Sequence, residues 1–413
     1  MQQRRFLFLE SFFGGSHRAF AEGLEANSRH HIELMTLPAE NWRWRTRTSA
    51  LRFAEELASA AGKPSPVTHA HARPLCLRGY DGVIVTDLIT LADFRALVSA
   101  SPILLYMHES QMTYPLPKGR TVETDTALAD IRSALMADRI LFNSQFHRSR
   151  FLEVAGQVLA SSPPDEPAGL VSALDARSSV LYPGCALSDL ASDNDSGYDS
   201  LREGVLRGGA AGGAARDSRA EAGGHEKDGP LVVWNHRWEY DKNPTPFFRT
   251  LERLSEEEVA FHLALLGENP QYHPKEFETA RETLDPHIIR YGYLPDRADY
   301  AALLRSADIV VSTSVQENFG ISVVEAVAAG CIPLLPKRLS YPEIIPREYH
   351  DSCLYGSNRE LQEKLRGFLT HGLPELPGLK EAMRAYDWSV AGPAYDRELE
   401  ALAERRDRNE APD

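Results

Sequence analysis

The chain has 413 residues, which makes two domains the default expectation rather than one compact unit. It is 43% hydrophobic and 25% charged, as in ordinary globular enzymes, and no apolar run approaches the roughly 20 residues of a membrane span. A net charge of −14 argues against a general nucleic-acid-binding protein, while leaving room for a local basic surface.

The chain opens on Met1-Gln-Gln-Arg-Arg-Phe-Leu-Phe-Leu-Glu10, whose apolar run is too short for a signal peptide. A cytoplasmic protein is therefore expected. Strand-like runs then alternate with helical stretches: 5–10, 31–36, 81–86, 102–107, 139–143 and 179–182. Continuous apolar strands separated by helices predict a doubly wound parallel sheet, here a first lobe over 1–187. Residues 188–229 are rich in Gly, Ala, Ser and Asp and read as a flexible interdomain linker or insertion. Asp193 and Asp195 form a D-x-D pair inside it, which we read as solvated linker charge rather than a metal site. A second alternating series follows at 231–234, 261–266, 287–291, 308–312 and 331–335, giving a second lobe over 230–385. Two such halves place a ligand cleft between them. The tail from Leu379 contains Trp388 in a helical context and is expected to pack back across the halves, with 386–413 as a helix on the first. Its end, from Arg405, is expected to fray. Cys76, Cys185, Cys331 and Cys353 show no metal-ligand spacing and read as reduced core or near-core residues.

Several motifs lie where such sheets carry their ligands. Gly14 and Gly15, with Ser16 and His17, follow the first strand and open a helix; this is either a backbone approach to a ligand or a tight structural turn. His108 and Glu109 end the run 102–107, at the edge where active sites sit, either to bind a sugar hydroxyl or acceptor or to cap the element. Residues 110–115 read as a cleft loop. Arg237 and Lys242 follow the run 231–234, and two cations there can clamp a diphosphate. Glu317-Asn318-Phe319-Gly320-Ile-Ser-Val-Val-Glu325 follows an apolar strand and leads into a helix ending at Gly330. A strand, a glycine turn and a helix N-terminus make an anion site. The two carboxylates would repel a phosphate, so they suit a hydroxylated group attached to it, as in a nucleotide sugar. Trp42, Arg43, Trp44, Arg45 and Arg47 form the densest cation–aromatic patch, with Arg52 nearby. Such a patch is either an RNA or nucleoside acceptor surface, with indoles stacking on bases, or an amphipathic segment with buried tryptophans. No Walker A, G-x-G-x-x-G, H-E-x-x-H, G-x-S-x-G or C-x-x-C pattern occurs, so ATP or NAD use, zinc proteolysis, serine esterase chemistry and dithiol redox lack support.

The second half resembles retaining glycosyltransferases of the GT-B fold, through the pair Arg237/Lys242 (R-x4-K) and the pair Glu317/Glu325 (E-x7-E). Over most of its length the chain more specifically resembles the tRNA-queuosine α-mannosyltransferases. The segments that carry this likeness are 10–17, 37–51, 106–115, 142–144, 234–244 and 316–326. The resemblance implies an α/β protein with two Rossmann-like doubly wound lobes. It implies GDP-mannose as donor, the queuosine cyclopentenediol of a tRNA anticodon as acceptor, and no required metal or other cofactor. It implies that Arg237 and Lys242 hold the diphosphate, that Glu317 with the backbone of Asn318, Phe319 and Gly320 holds the mannose and distal phosphate, and that Glu325 binds the ribose. His108 would face the transferred sugar. Gly14 and Gly15 would lie on the donor side. His17, Glu109 and the tryptophan–arginine segment would lie on the acceptor side.

Overall fold

The computed structural model describes residues 2–69, 73–99, 102–115, 124–161, 169–190, 229–268 and 274–410. Most of the expected linker, with Asp193 and Asp195, lies outside the described residues. The chain divides into two units, Met1–Ala186 with Ala385–Asp413, and Leu187–Arg384.

The main sheet of the first unit is parallel throughout, in the order His31–Pro38, Arg5–Phe13, Gly82–Thr86, Ile103–Met107, Arg139–Phe142 and Ser178–Val180. Alternate side chains of each strand point to opposite faces. Leu7, Leu9, Val83, Val85, Leu105 and Phe142 enter one core, with Phe53, Phe94 and Phe151 from covering helices. Phe6, Phe8, Ile84, Leu104, Tyr106 and Leu141 enter the other. Burial on both faces explains why these strands are apolar without alternation in sequence. Arg5–Phe13 runs past the expected end at Glu10, and Ser178–Val180 stops short of Tyr182.

The second core closes with the end of the chain. Helix Trp388–Glu410 lies on helix Gly15–Asn27 and brings Trp388, Tyr395, Leu399 and Leu402 onto that face of the sheet. Phe20 stacks on Tyr106 at 4.1 Å and meets Trp388 at 5.9 Å. Ser28 donates to Asp396 at 2.6 Å, and Tyr395 donates to the carbonyl of Tyr182 at 2.9 Å. The helix does not fray at Arg405: it continues to Glu410, with Arg405 donating to the carbonyl of Asp138 and Arg406 to that of Tyr80.

The second unit repeats the scheme, in the order Ile288–Gly292, His262–Leu266, Leu231–Asn235, Ile309–Val311, Ile332–Pro336 and Leu354–Tyr355, again parallel. Trp234, Phe247, Phe248, Phe277 and Leu263 fill one side of its core. Three cysteines are buried as expected, but Cys76 is exposed. It sits in a two-residue strand that pairs with Val98–Ser99 in a sheet separate from the two main ones.

Trp388 also tests the packing. A Cβ on Gly184 would lie 2.2 Å from the indole Cδ2, and one on Gly23 would lie 2.2 Å from Nε1. Gly23 is helical, so alanine there would recover up to about 1 kcal/mol of helix propensity; Gly184 offers no such return. Gly184→Ala is expected to lower unfolding free energy by about 1–3 kcal/mol in urea denaturation, as overpacking does. An unchanged midpoint would mean that the indole does not occupy this slot.

Candidate active site

In an open parallel sheet, ligands bind outside the carboxyl ends of the strands, where the strand order reverses. In the second unit the reversal falls between Leu231–Asn235 and Ile309–Val311, which pair directly. Arg237 and Lys242 follow the first of these strands, and Glu317 follows the second. Topology therefore brings together cations and a carboxylate far apart in sequence.

Lys242 ends the short 3-10 helix Tyr240–Lys242, and Asn243 follows in the left-handed region at φ 50°. This turn directs the lysine inward. Its Nζ donates to Glu317 Oε2 and to the carbonyl of Gln316, both at 3.1 Å, and lies 3.4 Å from Asp241 Oδ2. Lys242 is buried, because two carboxylates and a carbonyl replace its water. Burial opposes its charge, but Glu317 and Asp241 outweigh both burial and nearby Arg237, and its pKa is raised. Arg237 stays exposed and pairs with Glu239 at 3.2 Å.

Glu317 begins the turn into helix Ile321–Ala329. Asn318 and Phe319 are buried, and Gly320 has φ +103°, a conformation that glycine adopts without strain. Ser340 Oγ donates to the carbonyls of Phe319 at 2.8 Å and Glu317 at 3.3 Å, which holds the turn from outside. The helix ends at Gly330 with φ 114°, as expected. Glu325 lies one turn into the helix and is already engaged. Arg297 Nη1 donates to its Oε1 at 2.6 Å and Tyr300 Oη to its Oε2 at 3.0 Å. Burial pushes its carboxyl pKa up, against the pull of both donors. Asn235 joins this set by donating to Tyr300 Oη at 3.1 Å and to the carbonyl of Ser322 at 2.7 Å.

The first unit carries a second polar cluster by the same rule. Its sheet order reverses between Arg5–Phe13 and Gly82–Thr86. Glu10 and His17 come from the first strand and its helix, Asp87 from the end of the second, and His108 from the next strand along. His17 Nδ1 lies 3.2 Å from Glu10 Oε1, and the rings of His17 and His108 are 4.1 Å apart. Asp87 Oδ1 accepts from the backbone N–H of His108 at 2.9 Å. Glu109 accepts from Gln111 at 2.7 Å. Gly15 has φ +52° and open space where a Cβ would stand, while a Cβ on Gly14 would meet that of Ala39 at 2.5 Å. Gly14 is thus tied to local packing, and Gly15 is the open position.

Among the described residues, Glu10, His17 and His108 have ligand atoms within 4.8 Å of one another, close enough to consider a metal ion. The two rings lie over each other with a tilt of 33°. Their nitrogen lone pairs lie in the ring planes and so do not converge as tetrahedral ligation requires. The arrangement fits a histidine–carboxylate pair better.

The tryptophan–arginine segment forms the start of helix Trp42–Ala60. Ala50, Phe53, Ala54 and Leu57, later in the helix, face the core, while Trp42, Arg43, Trp44 and Arg47 in its first turns are exposed. Trp44 is 70% exposed and Trp42 41%, so the buried-tryptophan alternative does not hold. Arg43 lies over the Trp42 ring at 5.3 Å, Arg45 donates to the carbonyl of Pro38 at 3.1 Å, and Arg47 is exposed.

Several partners were not singled out from the sequence as site residues. Asp241, Arg297, Tyr300 and Asn235 complete the second cluster, and Glu10 and Asp87 the first. Glu10 and Asp87 had one weak signal: each is a carboxylate at or just past the end of an apolar run.

Comparisons with known proteins agree with the two-sheet fold. Solved structures with the same fold include Anabaena HepE in complex with UDP-glucose, at 15% identity and TM-score 0.57, covering 98% of this chain and 99% of that one. Another is the sucrose-phosphate synthase of Thermosynechococcus elongatus, at 13% identity and TM-score 0.61, covering 98% of each chain. The family model described as glycosyl transferases group 1 matches residues 216–384. The chain is a glycosyltransferase of the GT-B fold, and a hexosyltransferase. The model described as tRNA-queuosine alpha-mannosyltransferase N-terminal matches residues 5–185. The Drosophila melanogaster tRNA-queuosine alpha-mannosyltransferase is 32% identical over 363 residues, 88% of this chain and 86% of that protein. This chain belongs to the tRNA-queuosine alpha-mannosyltransferase family.

Lys242 sets a stability test. Lys242→Ala would leave Asp241, 1% exposed, without its cation. Removing one partner of a buried pair is expected to cost about 3–5 kcal/mol in urea unfolding. A loss within experimental error would show that water reaches these carboxylates.

Proposed function

We propose that the protein transfers mannose from GDP-mannose, with retention, to the cyclopentenediol of queuosine in a tRNA anticodon. The observation that carries the reading is the Lys242–Glu317 pair at the strand-order reversal of a group 1 glycosyltransferase unit. Family membership supports the choice of acceptor.

In this reading Arg237 and Lys242 face the diphosphate. As the glycosidic bond breaks, the leaving diphosphate gathers negative charge, and fixed cations with the N-terminus of helix Ile321–Ala329 stabilise it. Glu317 and the turn Asn318–Gly320 hold the sugar hydroxyls and distal phosphate, and Glu325 takes the ribose. His108 acts on the transferred sugar. The acceptor hydroxyl attacks the same face and its proton passes to the leaving phosphate. The exposed start of helix Trp42–Ala60 binds RNA: its indoles offer stacking faces and its arginines meet phosphates. No metal takes part, since cations of the chain itself neutralise the diphosphate.

Two experiments test this reading. Glu317→Ala should reduce transfer by about 2–4 kcal/mol in barrier, the loss of one preorganised charge-stabilising group, whereas transfer by the wild type should survive dialysis against EDTA. Near wild-type transfer by the variant would remove Glu317 from the donor site, and activity restored only by an added divalent ion would overturn the metal-free mechanism.

The second experiment concerns RNA. Replacing Arg43, Arg45 and Arg47 with alanine should weaken tRNA binding and flatten its salt dependence, by roughly one power of concentration for each phosphate left without its arginine. GDP-mannose binding, followed by thermal shift, should not change. Transfer is compared on tRNA with queuosine, tRNA without it and the free nucleoside. Modification of none of these, with modification of a lipid or small glycoside instead, would sink the RNA reading.

A further inference from the structure

The cluster in the first unit holds a carboxylate for which the transfer chemistry above has no task. Glu10 is 0% exposed. Its Oε1 accepts from the Phe12 N–H at 2.8 Å and from Thr86 Oγ1 at 3.0 Å. Both of its oxygens face His17 Nδ1, at 3.2 and 3.3 Å. Held by a backbone donor and a hydroxyl, the carboxylate cannot turn away from the imidazole.

His17 passes this constraint on. Its ring lies over that of His108, which is also met edge-on by Phe20 at 5.1 Å and Tyr106 at 4.9 Å. The His108 backbone is fixed as well, its N–H by Asp87 and its carbonyl by Asn143 Nδ2 at 2.8 Å. We propose that Glu10 is a positioning residue for sugar transfer: through His17 it sets the placement and the charge state of the His108 ring. This rests on the functional reading above, which puts His108 on the transferred sugar.

The electrostatics run in the same direction. Burial lowers the His17 pKa, but the charge and hydrogen bond of Glu10, with Asp87 and Glu109, outweigh it and raise it to about 9. Burial lowers His108 well below the ordinary imidazole value, and the charge of His17 lowers it further. The ionisable groups around the two rings are therefore Glu10 on the first strand, Asp87, Glu109, Tyr106 and His147. Asp87 is itself pushed up by burial, against the pull of His17. Near neutral pH, His17 carries a proton and His108 does not. A neutral His108 keeps a lone pair with which to accept a hydrogen bond from a sugar hydroxyl. The stabilisation from charged His17 is fully present below its unfolded pKa of about 6.5. It is lost as pH rises through about 9.

The test is Glu10→Gln, which keeps the shape of the side chain and removes its charge. The His17 ring nitrogens are followed by NMR against pH on the protein alone, and transfer to queuosine tRNA is followed against pH. The His17 midpoint is expected to fall from about 9 to the ordinary value of about 6.5 or below. The kcat is expected to drop on the order of tenfold or more, with the alkaline limb of its pH profile moved down and the KM for GDP-mannose unchanged. A His17 midpoint that stays in place overturns the proposal. So does a midpoint that moves while the pH profile of transfer does not. A second variant, His17→Gln, removes the positive ring, and the His108 midpoint should rise; no rise overturns the link between the rings even if Glu10→Gln fails to fold. Absence of transfer by the wild type itself would fail the functional reading and is told apart from these outcomes, because both titrations are read without substrate.

Discussion

A charge taken out of water must be met by another charge or by several hydrogen bonds. That constraint shapes both polar centres of this protein. Lys242 is tolerated inside the second unit because Glu317, Asp241 and a carbonyl surround it. Those contacts in turn hold Glu317 at the mouth of its glycine turn. In the first unit the requirement runs the other way: buried Glu10 needs donors, and Phe12, Thr86 and His17 supply them. Neither centre is a set of independent side chains.

Topology decides which residues meet. Both units are six-stranded parallel sheets whose order reverses beside the first strand. At such a point the loops leave in opposite directions and open a space above the strand ends. The apolar strands supply a rigid floor. A polar residue just past a strand end, such as Asp87 or His108, is placed by the strand that precedes it. The same construction gathers different groups in the two units, paired cations and carboxylates in one and two tilted, overlapping imidazoles in the other.

This explains what the sequence revealed. The strands were legible because sheets buried on both faces need unbroken apolar runs, as in Leu231–Asn235 and Ile103–Met107. Glu317, Gly320 and Lys242 were legible because their spacing is itself the motif. Asp241, Arg297, Tyr300 and Asp87 were not: each becomes part of a cluster through a partner that strand order brings from elsewhere in the chain, Glu317 beside the Asp241–Lys242 pair, Glu325 beside Arg297 and Tyr300, and His108 beside Asp87. The exposure of Trp42 and Trp44 depended on where their helix meets the core: Trp42, Arg43, Trp44 and Arg47 in its first turns are exposed, and the buried face begins only at Ser49 and Ala50. Arg405 looked like part of a charged tail, yet it finds a carbonyl 267 positions away.

The return of helix Trp388–Glu410 to the first sheet carries a consequence for how the chain is made. Synthesis proceeds from the N-terminus, and domains generally fold as units as they emerge. Here the sheet face bearing Phe6, Phe8 and Tyr106 has helix Gly15–Asn27 on it but lacks Trp388, Tyr395 and Leu399 until the whole of Leu187–Arg384 has left the ribosome. The unit begun first is thus the one finished last. During that interval part of an apolar sheet face waits uncovered, a natural point of engagement for chaperones, and a chain cut short late holds one completed unit tied to one unfinished one.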